Sequence, residues 1–81
     1  MNQYKISKGR EEEERKEFAR QFNEVILNLE EACNGLQRII ELTGISKTTI
    51  YRWYEGEIKD ISWEYAERIQ KLCRELEVVW P

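Results

Sequence analysis

Hydrophobic side chains recur along most of this chain at intervals of three and four residues, which is the spacing of one face of an α-helix. The pattern predicts four helices, at residues 10–33, 36–43, 47–55 and 63–76. The first is the longest, and its apolar stripe is formed by Phe18, Phe22, Val25, Leu29 and Ala32. No stretch alternates between apolar and polar residues for long enough to predict a strand. The pattern therefore predicts an all-α fold.

Glycine and serine residues mark the limits of these helices. Gly35 and Gly44 follow the first and second segments, and glycine suits the end of a helix because it adopts positive φ without steric cost. Ser46 and Ser62 precede the third and fourth segments, where a hydroxyl can accept a hydrogen bond from a free amide of the first turn. We expect a compact bundle of four to five helices with an extended N-terminal helix.

The length of the chain limits it to one folded unit. With 81 residues, it can bury one modest core. We expect a single domain over residues 10–81, preceded by a flexible N-terminus at residues 1–9. No apolar run approaches the ~20 residues that span a membrane, and the N-terminus has no apolar stretch typical of a secretory signal. The sequence therefore predicts a cytoplasmic protein that does not bind membranes.

A helix-turn-helix is predicted at residues 36–54. Two short helices meet there through a turn of about three or four residues that contains a glycine. Ile39 would pack the first helix on the core, and Ile45 would fill the inside of the turn. Ile50 and Trp53 lie three residues apart in the second helix and would anchor it from below. DNA-binding domains use such a pair of helices to place the second one in the major groove.

The outward face of that second helix carries the candidate base-reading residues. They are Lys47, Thr48, Tyr51 and Arg52. Basic side chains can donate to guanine or phosphate, and a threonine can contact a thymine methyl group. The preceding helix of such a motif crosses the DNA backbone. The residues expected to hold phosphates are Gln37, Arg38, Tyr54 and Lys59.

The segment Gly-Ile-Ser-Lys-Thr-Thr-Ile-Tyr-Arg-Trp at residues 44–53 resembles the helix-turn-helix of phage repressors of the lambda repressor and Cro type. The resemblance covers about residues 18–76 and is sharpest at residues 39–56. It implies a small helical bundle that binds operator DNA as a dimer. The same segment also resembles parts of site-specific recombinases and TetR-type regulators, but the chain lacks room for the second domain of either. Two positions depart from the repressor pattern: Leu36 stands where glutamine is frequent, and Ile40 where alanine is preferred.

The charge of the chain is the main observation against DNA binding. It has 13 basic and 16 acidic residues, so its net charge is −3, whereas nucleic-acid-binding domains usually carry a basic surplus or stripe. Basic and acidic residues are equally numerous in residues 36–60, so a basic patch depends on which way each side chain faces. Two alternatives to a transcriptional regulator remain: a protein-interaction adaptor with the same fold that does not bind DNA, and a DNA-binding accessory factor in recombination.

Catalysis and metal binding are not expected. The chain has no histidine, and Asp60 is its only aspartate, so a Ser-His or Cys-His pair cannot be built. Each glycine stands alone, which excludes a glycine-rich phosphate loop. Cys33 and Cys73 are too few for a zinc site, which needs about four ligands; they are either a disulfide or, as we favour, two buried thiols. We expect no catalytic residues, no cofactor and no small-molecule ligand.

The apolar surface of the chain predicts a homodimer. The first helix is longer than a helix-turn-helix requires, and Ile26 and Leu27 widen its apolar stripe beyond one face. Val78, Val79 and Trp80 add an apolar tail. Dimerisation through the N-terminal helix, the C-terminal tail or both would cover these residues. It would also supply a second DNA-reading helix for the other half of a short palindromic operator. Alternatively, the tail folds back on the core of its own chain.

Overall fold

The computed structural model describes residues 11–80, apart from the side chains of residues 11 and 12. Its helices are α1 (Glu11–Cys33), α2 (Leu36–Thr43), α3 (Lys47–Tyr54) and α4 (Trp63–Leu76). The predicted all-α bundle with an extended N-terminal helix is confirmed. The predicted flexible segment, residues 1–9, lies outside the described residues. Within the described part of the chain, no helix is both long and apolar enough to cross a membrane.

At the C-terminal ends of two helices, the residue in the left-handed conformation is not glycine. α1 is followed by Asn34 with φ 59°, and the amide of Gly35 donates to the carbonyl of Glu30 at 2.9 Å. α4 is followed by Glu77 with φ 58°, and the amide of Val78 donates to the carbonyl five residues earlier at 2.8 Å. Both ends have the hydrogen bonding of a Schellman motif, in which a left-handed residue terminates the helix. The sequence pattern pointed to Gly35 for the first of these ends, but Asn34 already turns the chain.

The core receives side chains from every helix and from both longer connections. Its buried members are Phe22, Val25, Ile26, Leu29, Leu36, Ile39, Ile45, Ile50, Trp53, Ile61, Ala66, Ile69, Leu72 and Cys73. α1 packs against the other three helices, and α2 also contacts α3 and α4. The long first helix is therefore the element on which the helix-turn-helix is mounted.

The apolar stripe predicted for α1 is correct in its middle and wrong at its end. Ile26, which widens the predicted stripe, is fully buried, whereas Ala32, placed within the stripe, is exposed. Leu27 is 39% exposed. The core surrounds the middle of α1, so the last turn of the helix extends past the residues that would cover Ala32.

The two cysteines are free thiols. Cys33 is half-buried in the last turn of α1, and Cys73 is fully buried in α4. The favoured interpretation as two buried thiols is therefore correct for Cys73, whereas Cys33 is a free thiol that is only partly buried. Burial raises the pKa of the Cys73 thiol to about 11, because an apolar environment disfavours the charged thiolate.

Candidate nucleic-acid interface

The turn between α2 and α3 consists of three residues, each with a distinct role. Gly44 has φ 73°, and its amide donates to the carbonyl of Ile40 at 2.8 Å, which closes α2. Ile45 is fully buried beneath the turn. The Ser46 hydroxyl accepts a hydrogen bond from the amide of Thr49 at 3.3 Å and so caps the start of α3. All three roles follow the sequence-based prediction.

Two polar side chains brace this turn through contacts that were not predicted. The Thr43 hydroxyl donates to the carbonyl of Ile39 at 2.7 Å and accepts from the amide of Ile45 at 3.2 Å. Nη1 of Arg68, in α4, donates to the Thr43 carbonyl at 3.2 Å. The threonine immediately before Gly44 was a usable signal, because such a hydroxyl often bonds to the carbonyl four residues earlier. The contact from Arg68 had no local signal.

The inner face of α3 fixes the rotation of this helix. Ile50 is fully buried and Trp53 nearly so. The Trp53 ring meets Phe22 of α1 edge-on, with ring centroids 5.0 Å apart, and Tyr65 of α4 at 6.0 Å. Rings packed edge-to-face at these distances attract one another beyond simple burial. α3 is therefore held against α1 and α2, with the Tyr65 ring of α4 beside its Trp53, and its opposite face is turned to solvent.

The four predicted base-reading residues lie on that exposed face. Lys47, Thr48, Tyr51 and Arg52 are all exposed. Nζ of Lys47 lies 5.6 Å from the centre of the Tyr51 ring, a distance at which a cation is attracted to the ring face. The first and second turns of the helix thus present an ammonium group and an aromatic ring side by side.

The residues predicted to bind phosphates differ in their exposure to solvent. Gln37 and Arg38 are exposed in the first turn of α2, and Lys59 is exposed in the connection between α3 and α4. Tyr54 is half-buried and packs against the core, so it presents less of its side chain than the others. Lys59 and Arg52 line the same cleft, of about 570 Å³.

Residues 35–79 match the family model of the Cro/C1-type HTH DNA-binding domain, which is more than half of the 81 residues. The chain belongs to this family. Neither the curated proteins nor the solved structures compared with the chain gave a match. The matched region of this Cro/C1-type domain begins just before α2 and ends in the C-terminal tail. The resemblance seen in the sequence is confirmed, and membership supports a DNA-binding regulator in a family that is not enzymatic.

Acidic side chains accompany the basic ones on the Cro/C1-type domain. Glu57 and Asp60 line the same cleft as Arg52 and Lys59. Arg38 lies 4.0 Å from Glu41 in the next turn of α2. Lys47, at the start of α3, instead lies over an aromatic ring. Lys47 thus contacts an aromatic ring, whereas Arg38 lies near a carboxylate and Arg52 and Lys59 share their cleft with two carboxylates.

Proposed function

We propose that this protein is a sequence-specific DNA-binding transcriptional regulator that binds a short palindromic operator as a homodimer. The observation that carries the proposal is the rotation of α3. Ile50 and Trp53 face the core, so Lys47, Thr48 and Tyr51 point away from the protein. Membership of the Cro/C1-type family supports DNA as the partner of this face.

In this proposal, α3 enters the major groove with its N-terminal half leading. Lys47 and Arg52 donate to guanine or phosphate oxygens, and Thr48 and Tyr51 contact base edges or thymine methyl groups. Gln37, Arg38, Tyr54 and Lys59 bind phosphates on either side and set the register without reading sequence. Of these, the half-buried Tyr54 contributes least.

The proposed dimer uses the outer face of α1. The tail is not free to carry the interface alone, because Trp80 packs on Phe22 of its own chain with ring centroids 5.9 Å apart. Val79, between the packed residues of the tail, is 80% exposed, and Leu27 of α1 is 39% exposed. Val79 also borders a groove of about 250 Å³ along α1 with Val25 and Asn28. A second copy would cover this apolar surface.

The oligomeric state of the full chain tests the dimer. Leu27→Glu should convert a dimer into a monomer in analytical ultracentrifugation, because it places a charge in the apolar contact. Leu42→Glu is the matched control, since Leu42 is 48% exposed on α2 and lines a cleft with residues of α4 rather than of α1. A wild-type chain that sediments as a monomer at micromolar concentration, or a dimer that survives Leu27→Glu, would contradict this interface.

Selection from a random duplex library with the full chain, at stated salt, tests DNA binding itself. We expect an enriched palindrome, because a dimer presents two copies of α3 about one helical turn apart. An enriched site without symmetry would contradict the dimer, and no enrichment would contradict the regulator. The second case would favour a protein-interaction adaptor, which the acidic residues around Arg52 and Lys59 would suit.

Alanine variants of the proposed base-reading residues test whether the exposed face of α3 contacts the DNA bases. Arg52→Ala should weaken binding to the selected site by about 1–3 kcal/mol if the guanidinium binds a guanine through two hydrogen bonds. Arg74→Ala removes the same charge from an exposed position of α4 and should lower affinity only through the general field. Equal losses for Arg52→Ala and Arg74→Ala, with the same salt dependence, would show that α3 does not read the DNA.

A further inference from the structure

The C-terminal end of α3 is held by a side chain from α1. Nδ2 of Asn23 lies 2.7 Å from the carbonyl oxygen of Trp53 and 3.1 Å from that of Tyr54. Both partners are acceptors, so the carboxamide uses its two N–H groups as donors. Asn23 is thirty residues from Trp53 in sequence, and its side chain is half-buried.

Backbone bonds alone leave this end of α3 incomplete. Gly56, with φ 91°, donates to the Trp53 carbonyl at 3.1 Å, and the amide of Glu57 donates to the Arg52 carbonyl at 2.8 Å. This is the hydrogen bonding of a Schellman motif. Carbonyls in the last turn of a helix have no partner within the helix. Asn23 supplies a partner for the Tyr54 carbonyl and a second one for Trp53.

Asn23 acts beside a second contact to the same residue. Phe22, its neighbour in α1, packs edge-on against the Trp53 ring. Apolar packing is not directional and allows small sliding, whereas hydrogen bonds prefer a narrow range of distance and angle. The ring contact therefore holds α3 against α1, and the carboxamide fixes where the last turn of α3 lies along α1.

We propose that Asn23 is a positioning residue for DNA recognition, which sets the placement of Tyr51 and Arg52 through the backbone of the last turn of α3. The inference rests on the proposed function of α3 as the reading helix. Arg52 directly precedes the Trp53 carbonyl that Asn23 binds, so a shift of this turn moves the guanidinium relative to the bases. Bidentate contacts to base edges lose their geometry with such shifts, whereas contacts to phosphates adapt.

The substitution Asn23→Asp tests this role with little change of shape. It replaces the donating nitrogen with a carboxylate oxygen, which faces two carbonyl oxygens at the negative end of the α3 dipole. Gln70→Glu is the matched control, because it makes the same change from carboxamide to carboxylate at a partly exposed position of α4, outside the reading face and the proposed dimer contact. Any general electrostatic effect on DNA binding is shared by the two variants.

The measurement compares the affinity of the full chain for its selected duplex and for a duplex of scrambled sequence, at one salt concentration. Asn23→Asp should lower the ratio of the two affinities about tenfold, the equivalent of one or two lost hydrogen bonds. Gln70→Glu should lower both affinities alike and leave the ratio unchanged. Circular dichroism establishes that both variants are folded at the assay temperature. An unchanged ratio in folded Asn23→Asp overturns the proposal.

Hydrogen exchange of the free proteins gives a second readout that does not involve DNA. Asn23→Asp should speed exchange of the amides of Gly56 and Glu57, while amides within α2 keep their wild-type protection. A uniform increase in amide exchange rates over the whole chain would indicate a purely structural role for Asn23 and overturn the proposal. If Asn23→Asp does not fold, Asn23→Ala and Gln70→Ala replace the pair. A wild-type chain that does not distinguish the two duplexes contradicts the proposed function instead, whatever the exchange data show.

Discussion

The guanidinium of Arg68 in α4 donates a hydrogen bond of 3.2 Å to the carbonyl oxygen of Thr43, the last residue of α2. The same side chain forms an ion pair of 2.7 Å with Glu64 and lies over the ring of Tyr65. A cation at the C-terminal end of a helix binds the free carbonyls there and is favoured by the helix dipole. The fourth helix thus caps the first helix of the helix-turn-helix at its corner.

The contribution of this cap can be measured with Arg68→Met. Methionine retains much of the apolar stem but removes the donor, and we expect the free energy of unfolding to fall by about 1 kcal/mol. Urea denaturation followed by circular dichroism would give this value. Lys71→Met, at an exposed position of α4, is the control and should change stability by less than about 0.5 kcal/mol. Equal effects of the two substitutions would mean that the contact to Thr43 contributes nothing.

Replacing Glu77 with glycine should stabilise the protein. Glu77 occupies the left-handed conformation after α4, at φ 58°, which costs an ordinary residue about 1 kcal/mol and glycine almost nothing. We expect Glu77→Gly to raise the free energy of unfolding by roughly 0.5 kcal/mol, after the greater flexibility of glycine in the unfolded chain is taken into account. Glu75→Gly, inside the helix, should instead lower it by about 1 kcal/mol. Destabilisation by Glu77→Gly would contradict the left-handed conformation of residue 77 at the end of α4.

The C-terminal tail should contribute to the stability of its own chain. Trp80 meets Phe22 edge-on, with the ring planes at 87°, and is half-buried. Trp80→Ala should therefore lower the free energy of unfolding by about 2 kcal/mol. Val79→Ala serves as the control, since the valine is 80% exposed, and it should have little effect in the monomer. Thermal unfolding at low protein concentration would measure both, and equal stability of Trp80→Ala and wild type would show that the tail is not docked.

The buried thiol of Cys73 should make stability fall in alkaline solution. Its pKa rises from 9.0 to about 11 on folding, so between these values the unfolded chain has lost the proton and the native chain retains it. Stability then decreases as pH rises through this window. Cys73→Ala lacks this pH dependence. The free energy of unfolding of Cys73→Ala, relative to that of wild type, should therefore increase by roughly 2 kcal/mol between a pH below 9 and a pH of about 11. A difference that does not vary with pH would contradict a buried, neutral thiol.

The limits of the helices could be predicted because their determinants are local. Ser46 and Ser62 accept hydrogen bonds from Thr49 and Tyr65, each three residues ahead. The inward direction of Ile50 followed from helical periodicity in the same way. For the candidate interface, the same periodicity identified which side chains of α3 are exposed. It did not reveal that Tyr54 is half-buried, since that depends on neighbouring elements.

The contacts that brace the interface could not be predicted, because their partners are distant in sequence. Asn23 and Trp53 are thirty residues apart, and Arg68 and Thr43 are twenty-five apart. Polar residues on a helix surface are normally solvated, so nothing in the neighbourhood of Asn23 or Arg68 indicated these distant contacts. The error at Ala32 has the same origin, because helical spacing gives the direction of a side chain but not the extent of the surface that covers it.

The sequence by itself determined the four helices, the turn around Gly44 and the outward direction of Lys47 and Arg52. These features depend on caps, glycine conformation and helical periodicity, which act over a few residues. Only the tertiary structure decided that the tail folds onto α1, that Arg68 caps α2 and that Asn23 holds the end of α3. Each of these requires two distant segments to meet, and that geometry is set by the packing of the whole core rather than by either segment alone.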